Sequence, residues 1–265
     1  MITDLESSIK RLAKRFEKRF NTHCELEEDE ETISVTCSEP HISIDISKSE
    51  PYSTTITGSI RPKESFSSKH DVAEIENNSY FSFVSDTYNL KKEAKVGEAK
   101  TYYEYLSRIG HRLKENLENA GFSCDEVIVS VEEMSLSCKI EKERPEGLTY
   151  YSNPPSISLD AHIALFSDRP SKLLNISGKI TNMDESSVLS TLLSAVKPTS
   201  YVFDTTVDSY IWFFPRKENI YSLDDDILDM TYKPVSIRQN AKIITALAEE
   251  EYPKIEQVPY IEEEE

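Results

Sequence analysis

The sequence predicts an α+β protein of two similar domains, each an antiparallel sheet with packed helices. The first observation is an internal duplication: a helix, a cysteine, a strand that ends in a second cysteine and two further strands occur twice in the same order. The second observation is that the strand patterns alternate between apolar and polar residues, as in antiparallel sheets with one face exposed to solvent. We therefore predict a first domain over 1–98, a second over 99–248 and an acidic tail over 249–265.

The first copy opens with a predicted amphipathic helix. Thr3 and Glu6 have the spacing of a capping box, in which each side chain accepts a hydrogen bond from the backbone of the other residue. The apolar residues that follow are separated by three or four positions, which places them on one face of a helix. They are Leu5, Ile9, Leu12, Phe16 and Phe20.

The rest of the first copy is predicted to be mainly strand. Cys37 ends the first of three alternating segments, and the second segment, at 42–45, matches 157–160 in the second copy. The predicted elements are strands over 33–37, 42–46 and 54–60, a weakly patterned helix over 65–75, strands over 79–84 and 87–90, and a polar boundary over 91–100.

The second copy repeats this order and adds a loop. Thr101 and Glu104 form a second capping box, and Gly121 is a suitable helix terminator. The apolar stripe of its helix consists of Leu106, Ile109, Leu113, Leu117 and Ala120. The elements that follow are a hairpin over 127–131 and 134–140, an inserted loop over 142–155, strands over 157–166 and 173–180, a helix capped by Asp184 or Ser186 and stopped by Pro198, strands over 200–204 and 208–214, and a last helix within 224–251.

The order helix, three strands, helix, two strands resembles the type III secretion chaperone fold and its relatives. The resemblance lies in the order of elements and covers most of the chain. It implies a pseudo-dimer within one polypeptide and the binding of an extended protein segment rather than catalysis. Such a segment could add to a sheet edge or occupy an apolar groove.

The chain is strongly acidic, with a formal net charge of -18. An acidic surface repels phosphate backbones and anionic membranes, so we expect neither direct nucleic-acid binding nor membrane binding. A basic protein, or a protein that itself binds nucleic acid, is a better candidate partner. The six glycines offer little material for phosphate-binding loops, and no nucleotide, dinucleotide or hydrolase motif occurs. We therefore predict a protein that is not an enzyme and uses no cofactor.

The chain shows no pattern of a signal peptide and no apolar run long enough to span a membrane, which predicts a cytoplasmic location. In that compartment free thiols are the default, while a disulfide in each copy stays open as an alternative. The cysteines concerned are Cys24, Cys37, Cys124 and Cys138.

A zinc site is a further alternative for the first cysteine pair, because His23 and His41 lie beside it in the sequence. The spacing matches no familiar zinc module, and the second copy has Ser123 and Lys142 at the equivalent places. We therefore predict no metal site there.

The candidate binding residues are four cations on the first helix and two tyrosines on the inserted loop: Lys10, Arg11, Lys14, Arg15, Tyr150 and Tyr151. The cations, which Lys18 and Arg19 extend, are either a docking face for an acidic partner or a solvated flank that pairs with the acidic run 25–31. The tyrosines are either interface anchors or core residues. For Trp212 we favour a place in the core.

The function we expect is that of a non-enzymatic protein-binding or chaperone-like module, which uses its sheet edges and its inserted loop. One alternative is an acidic mimic of nucleic acid that inhibits a DNA- or RNA-binding protein. Another is a metal-dependent hydrolase, since clustered carboxylates suit hard cations, although three acids before an apolar run also suit a helix N-terminus. Those carboxylates belong to Asp224, Asp225 and Asp226.

Overall fold

The computed structural model describes residues 2–39, 41–49, 53–61, 71–130, 133–143, 153–166, 169–170, 173–214 and 231–232. Its helices are α1 (Ile2–Phe20), α2 (Tyr88–Glu93), α3 (Tyr102–Asn119) and α4 (Glu185–Val196), with a 3-10 turn at Val96–Glu98. Its strands are β1 (Cys24–Glu28), β2 (Thr32–Cys37), β3 (Ile42–Ser47), β4 (Thr54–Gly58), β5 (Ile60–Arg61), β6 (Asp71–Asp86), β7 (Ser123–Cys124), β8 (Ile128–Val129), β9 (Glu133–Glu141), β10 (Ser156–Phe166), β11 (Arg169–Pro170), β12 (Leu173–Thr181), β13 (Tyr201–Phe214) and β14 (Thr231–Tyr232).

The prediction of two separate domains is wrong, because the strands form one continuous antiparallel sheet. Its strands follow the order β1-β2-β3-β4-β13-β6-β12-β10-β9-β7, while β8 pairs with β9, β11 with β10, and β5 with β14 in a separate pair. The reason lies in the last strand of each predicted copy. Strand β13 pairs with β4 of the first copy, and β6 pairs with β12 of the second, so each copy is completed by a strand of the other.

Two compact units can still be distinguished, and each is assembled from segments that are distant in sequence. The described residues of the first unit fall within 1–79, 143–154 and 206–235, and those of the second within 80–142 and 155–205. Each unit has its own apolar core, in which a long helix covers the apolar side chains of its strands. In the first, Ile9, Leu12 and Phe16 of α1 are buried with Val35, Ile44, Ile56 and Ile211.

In both units, four residues at equivalent positions form a row in which each faces the next across successive strands. In the first, Cys24 faces Cys37, Cys37 faces Ile42, and Ile42 faces Gly58 across successive strands. In the second, the row is Cys124, Cys138, Leu159 and Gly178. The register therefore makes Ile42 equivalent to Leu159, and the sequence match of 42–45 with 157–160 is displaced by two residues.

Two predicted elements, one at the start of β6 and one directly after its end, are wrong. Strand β6 begins at Asp71, so the predicted helix is wrong for 71–75, and its first residues, 65–70, lie outside the described residues. The predicted strand at 87–90 is instead the start of α2. The cause is Asp86, whose buried carboxylate accepts hydrogen bonds from the Tyr88 N–H at 2.9 Å and the Thr199 hydroxyl at 2.7 Å and so turns the chain.

Helix capping follows one half of the predicted capping box in the second copy and departs from the prediction in the first. The Thr101 hydroxyl accepts from the Glu104 N–H at 3.1 Å, whereas the Glu104 carboxylate accepts from the Lys100 N–H at 2.9 Å rather than from Thr101. This backbone bond, and then the bond from Arg108, lower the pKa of Glu104 below its usual value. Helix α1 already begins at Ile2, so Thr3 is not its N-cap.

A substitution at Gly178 tests the close packing of the row in the second unit. A Cβ at Gly178 would lie 2.2 Å from the Ser158 carbonyl oxygen and 2.7 Å from the Phe81 ring. Because the carbonyl belongs to the neighbouring strand, we expect Gly178→Ala to lower the free energy of unfolding by about 1–3 kcal/mol in denaturant titrations. The matched control is Gly97→Ala, where a Cβ would meet nothing within 4 Å. An equal effect of both substitutions would contradict the packing described here.

Candidate binding surface

Strand β1 is an exposed edge of the sheet, with β2 as its neighbour among the described strands. In the sequence, this segment stands out as part of the acidic run 25–31. Its first residue, Cys24, and its third, Leu26, turn their side chains towards the core, while Glu25 and Glu27 are exposed on the other face. The apolar residues Cys24 and Leu26 alternate as in a strand, but the three glutamates of β1 conceal this signal in the sequence.

The hydrogen-bond register shows which backbone groups of β1 face outwards. The Ser38 N–H donates to the His23 carbonyl at 3.2 Å, which makes His23 and Ser38 a hydrogen-bonded pair. Since such pairs alternate with non-hydrogen-bonded ones, Glu25 and Glu27 direct their backbone groups at β2. The N–H and carbonyl of Leu26 therefore point away from the sheet, in the middle of the edge.

Side chains fix both ends of β1. At its start, the Glu17 carboxylate of α1 accepts from the Cys24 N–H at 3.1 Å. At its end, Glu28 forms an ion pair with Lys48 at 2.7 Å. In the following turn, Asp29 accepts from the Thr32 N–H at 2.6 Å and from its hydroxyl at 2.8 Å, and these bonds, with the Thr32 N–H first, lower the pKa of Asp29. Side chains thus fix both ends of the edge, while the backbone groups of Leu26 at its centre point outwards.

Each unit carries one disulfide, which corrects the expectation of free thiols. Cys24 is bonded to Cys37 and Cys124 to Cys138, with the paired Cα atoms 4.1 Å apart in both cases. These separations are close to those of directly facing, non-hydrogen-bonded residues in an antiparallel pair. The disulfides therefore link β1 to β2 and β7 to β9. In the strand order of the sheet, β1 and β7 are the two terminal strands.

The predicted cytoplasmic location is contradicted by these disulfides. Disulfides persist in oxidising surroundings and are rare where thiols are kept reduced, so the pair of bonds favours a secreted or otherwise extracytoplasmic location. No described helix has both the length and the apolar composition that crossing a bilayer requires.

The opposite edge of the path is less continuous than β1. It consists of β7 and β8, two residues each, which pair with different parts of β9. In the gap between them, the Lys114 ammonium group of α3 donates to the Asp125 carbonyl at 2.9 Å. Interruption of this kind protects an edge against further pairing. Among the described strands, β1 is therefore the longer uninterrupted edge.

The four predicted cationic residues are all exposed on α1. Lys10 forms an ion pair with Glu6 of the same helix, and the Arg11 guanidinium donates to the Ser8 hydroxyl at 3.0 Å. Lys14 and Arg15 are exposed on the same side. The ion pair with Glu6, mainly through its hydrogen bond, raises the pKa of Lys10. The bonds of Lys10 and Arg11 lie within α1, and Lys10 also interacts electrostatically with Glu28 of the acidic run.

The other residues singled out in the sequence either lie outside the described residues or have other contacts. Tyr150 and Tyr151, like Asp224, Asp225 and Asp226, lie outside the described residues. The sulfur atoms of Cys24 and Cys37 are bonded to each other, so they are not thiolate ligands for zinc, and His23 lies beside Glu17 at 3.3 Å. Within the described part of the chain, no cluster of three or more histidine, cysteine or acidic residues is placed to hold a metal ion. Trp212 is half-buried.

A charged cluster in the second unit has a structural role. Glu93 of α2 pairs with Lys197 at 2.8 Å and with Arg112 of α3 at 3.2 Å, and the bond from Lys197, first among these, lowers the pKa of Glu93. Asn116 donates to the Ala195 carbonyl of α4 at 2.7 Å. These contacts connect α2, α3 and α4, and they pair the charged groups with one another. We therefore infer that the cluster stabilises the packing of the three helices.

Comparison with models of known protein families and with curated proteins finds no significant match to this chain. The function must therefore be argued from the surface itself.

Removal of one disulfide tests the link between β1 and β2. The pair Cys24→Ala/Cys37→Ala is expected to lower the free energy of unfolding by about 3 kcal/mol, because the bond closes a loop of 13 residues in the unfolded chain. The pair Cys124→Ala/Cys138→Ala, with a separation of 14, should have a similar effect. Non-reducing peptide mapping should recover only these two linkages. Free thiols, or a bond between the pairs, would contradict the assignment.

Proposed function

We propose that this protein is a non-enzymatic binding module that takes up an extended segment of another protein as an added strand beside β1. The observation that carries the proposal is the open centre of β1, where the Leu26 N–H and carbonyl point away from β2. An added strand would satisfy these groups with main-chain hydrogen bonds, which supply affinity, while neighbouring side chains supply selectivity.

The side chains of β1 indicate the kind of segment that fits. A residue facing Glu25 or Glu27 across an added antiparallel pair would have its Cβ about 5 Å away, close enough for a lysine or arginine to pair with the carboxylate. On the other face, the half-buried Leu26 offers an apolar neighbour. We therefore propose a partner segment in which basic and apolar residues alternate. This agrees with the acidity of the whole chain, which attracts basic partners.

A proline at position 26 tests the proposal without removing a bond of the native sheet. Because the Leu26 N–H faces outwards, Leu26→Pro leaves the hydrogen bonds between β1 and β2 intact but deletes the central donor of the edge. The binding of a labelled peptide with alternating lysine and valine is measured by fluorescence anisotropy. We expect Leu26→Pro to weaken binding about tenfold or more, since one main-chain hydrogen bond is lost and the proline ring obstructs the edge.

The matched control is Leu26→Ala, which also removes the apolar side chain but keeps the N–H. It should bind the peptide several times more tightly than the proline variant. If thermal unfolding shows that Leu26→Pro is not folded, a peptide with N-methylated amides on its pairing edge replaces it and should fail to bind the native protein. Equal affinities of the two Leu26 variants when both are folded, or undiminished binding of the methylated peptide, would contradict strand addition.

A further inference from the structure

The exposed face of α1 carries a regular array of cations that the proposed function does not use. Lysine–arginine pairs recur every four residues, at 10–11, 14–15 and 18–19, and all six side chains are exposed. The opposite face of the helix is buried in the core of the first unit through Ile9, Leu12 and Phe16. This packing fixes the orientation of α1, so the face that carries the cations stays directed to solvent.

The cations form two rows along the helix axis. Residues four positions apart lie about 6 Å apart along an α-helix, so Lys10, Lys14 and Lys18 span about 12 Å. The arginines form a parallel row beside them, in which Arg19 lies over the Phe20 ring at 5.8 Å. Because successive cations in each row are about 6 Å apart, the rows suit a ligand whose negative charges repeat at a similar distance.

We propose that this face binds a short acidic segment of a partner protein in an extended conformation. In an extended chain, every second side chain points the same way, about 6.6–6.8 Å from the last. Three acidic residues at alternate positions therefore span about 13 Å, which matches a row of three cations. The arginine guanidinium groups of the second row can each bind a carboxylate through two parallel hydrogen bonds.

The charge of the remaining surface favours a short segment over a long polyanion. The chain has a net charge of -18 although this helix contributes six cations within ten residues, so the rest is more acidic still. A nucleic acid or a sulfated polysaccharide that extends beyond the row would meet this acidic remainder and be repelled. Insertion into a membrane is disfavoured because the apolar face of α1 is already buried.

The test compares a labelled peptide that carries glutamate at three alternate positions with the same peptide carrying lysine there. Anisotropy at low salt should show binding of the glutamate peptide only. The variant Lys14→Gln/Lys18→Gln should weaken it about tenfold, since each exposed charge pair contributes modestly. The control Lys92→Gln/Lys139→Gln removes the same charge from exposed sites in the second unit and should leave the affinity within about twofold.

Several outcomes would overturn the proposal. These are failure of the glutamate peptide to bind, an equal loss in both double variants, or tighter binding of heparin or of a long single-stranded DNA than of the peptide. The proposal is independent of strand addition at β1. Leu26→Pro should therefore bind the glutamate peptide as well as the native protein does, and failure of either proposal leaves the other intact.

Discussion

The pairing of Cys24 with Cys37 fixes the geometry of the edge strand on which the proposed binding surface depends. The bond joins the first residue of the outermost strand to the directly facing residue of β2, and the register of the whole edge follows from that pair. A shift by one residue would turn Leu26 to solvent and the neighbouring glutamates to the core. The Glu17 bond at one end of β1 and the Lys48 pair at the other hold the same alignment.

The two surfaces of the first unit have opposite charge and different physical character. The edge of β1 offers main-chain groups with carboxylates beside them, whereas α1 offers side-chain cations on a rigid helix. Neither surface requires a buried catalytic group, and the buried carboxylate of Asp86 is engaged by the turn that follows β6. In the two proposed binding modes, the edge of β1 would hold one partner by its backbone, and α1 would hold another, or another part of the same partner, by charge.

Local patterns predicted the elements that depend on nearby residues. The Thr101 cap, the apolar stripes of α1 and α3, and the strands around Cys37 and Cys138 all follow from spacing within a few residues. The exposure of the cations on α1 follows from local spacing in the same way, because side chains on the polar face of an amphipathic helix are exposed whatever surrounds the rest of the chain.

Features that depend on distant partners were missed. The residues of β6 and β13 give no sign that β6 pairs with β12 of the second copy and β13 with β4 of the first. The sequence therefore favours two separate domains. The state of the cysteines depends on a facing register that spacing alone does not determine. Strand β1 is hard to recognise in the sequence because Glu25, Glu27 and Glu28 are unusual in strands.

Amide hydrogen exchange resolved at single residues probes the outward-facing backbone of β1. In the free protein, we expect protected amides at Glu25 and Glu27, which face β2, and a rapidly exchanging amide at Leu26. With the lysine–valine peptide bound, the Leu26 amide should become protected while its neighbours change little. Protection of Leu26 in the free protein, or rapid exchange at Leu26 in the complex, would contradict strand addition at this edge.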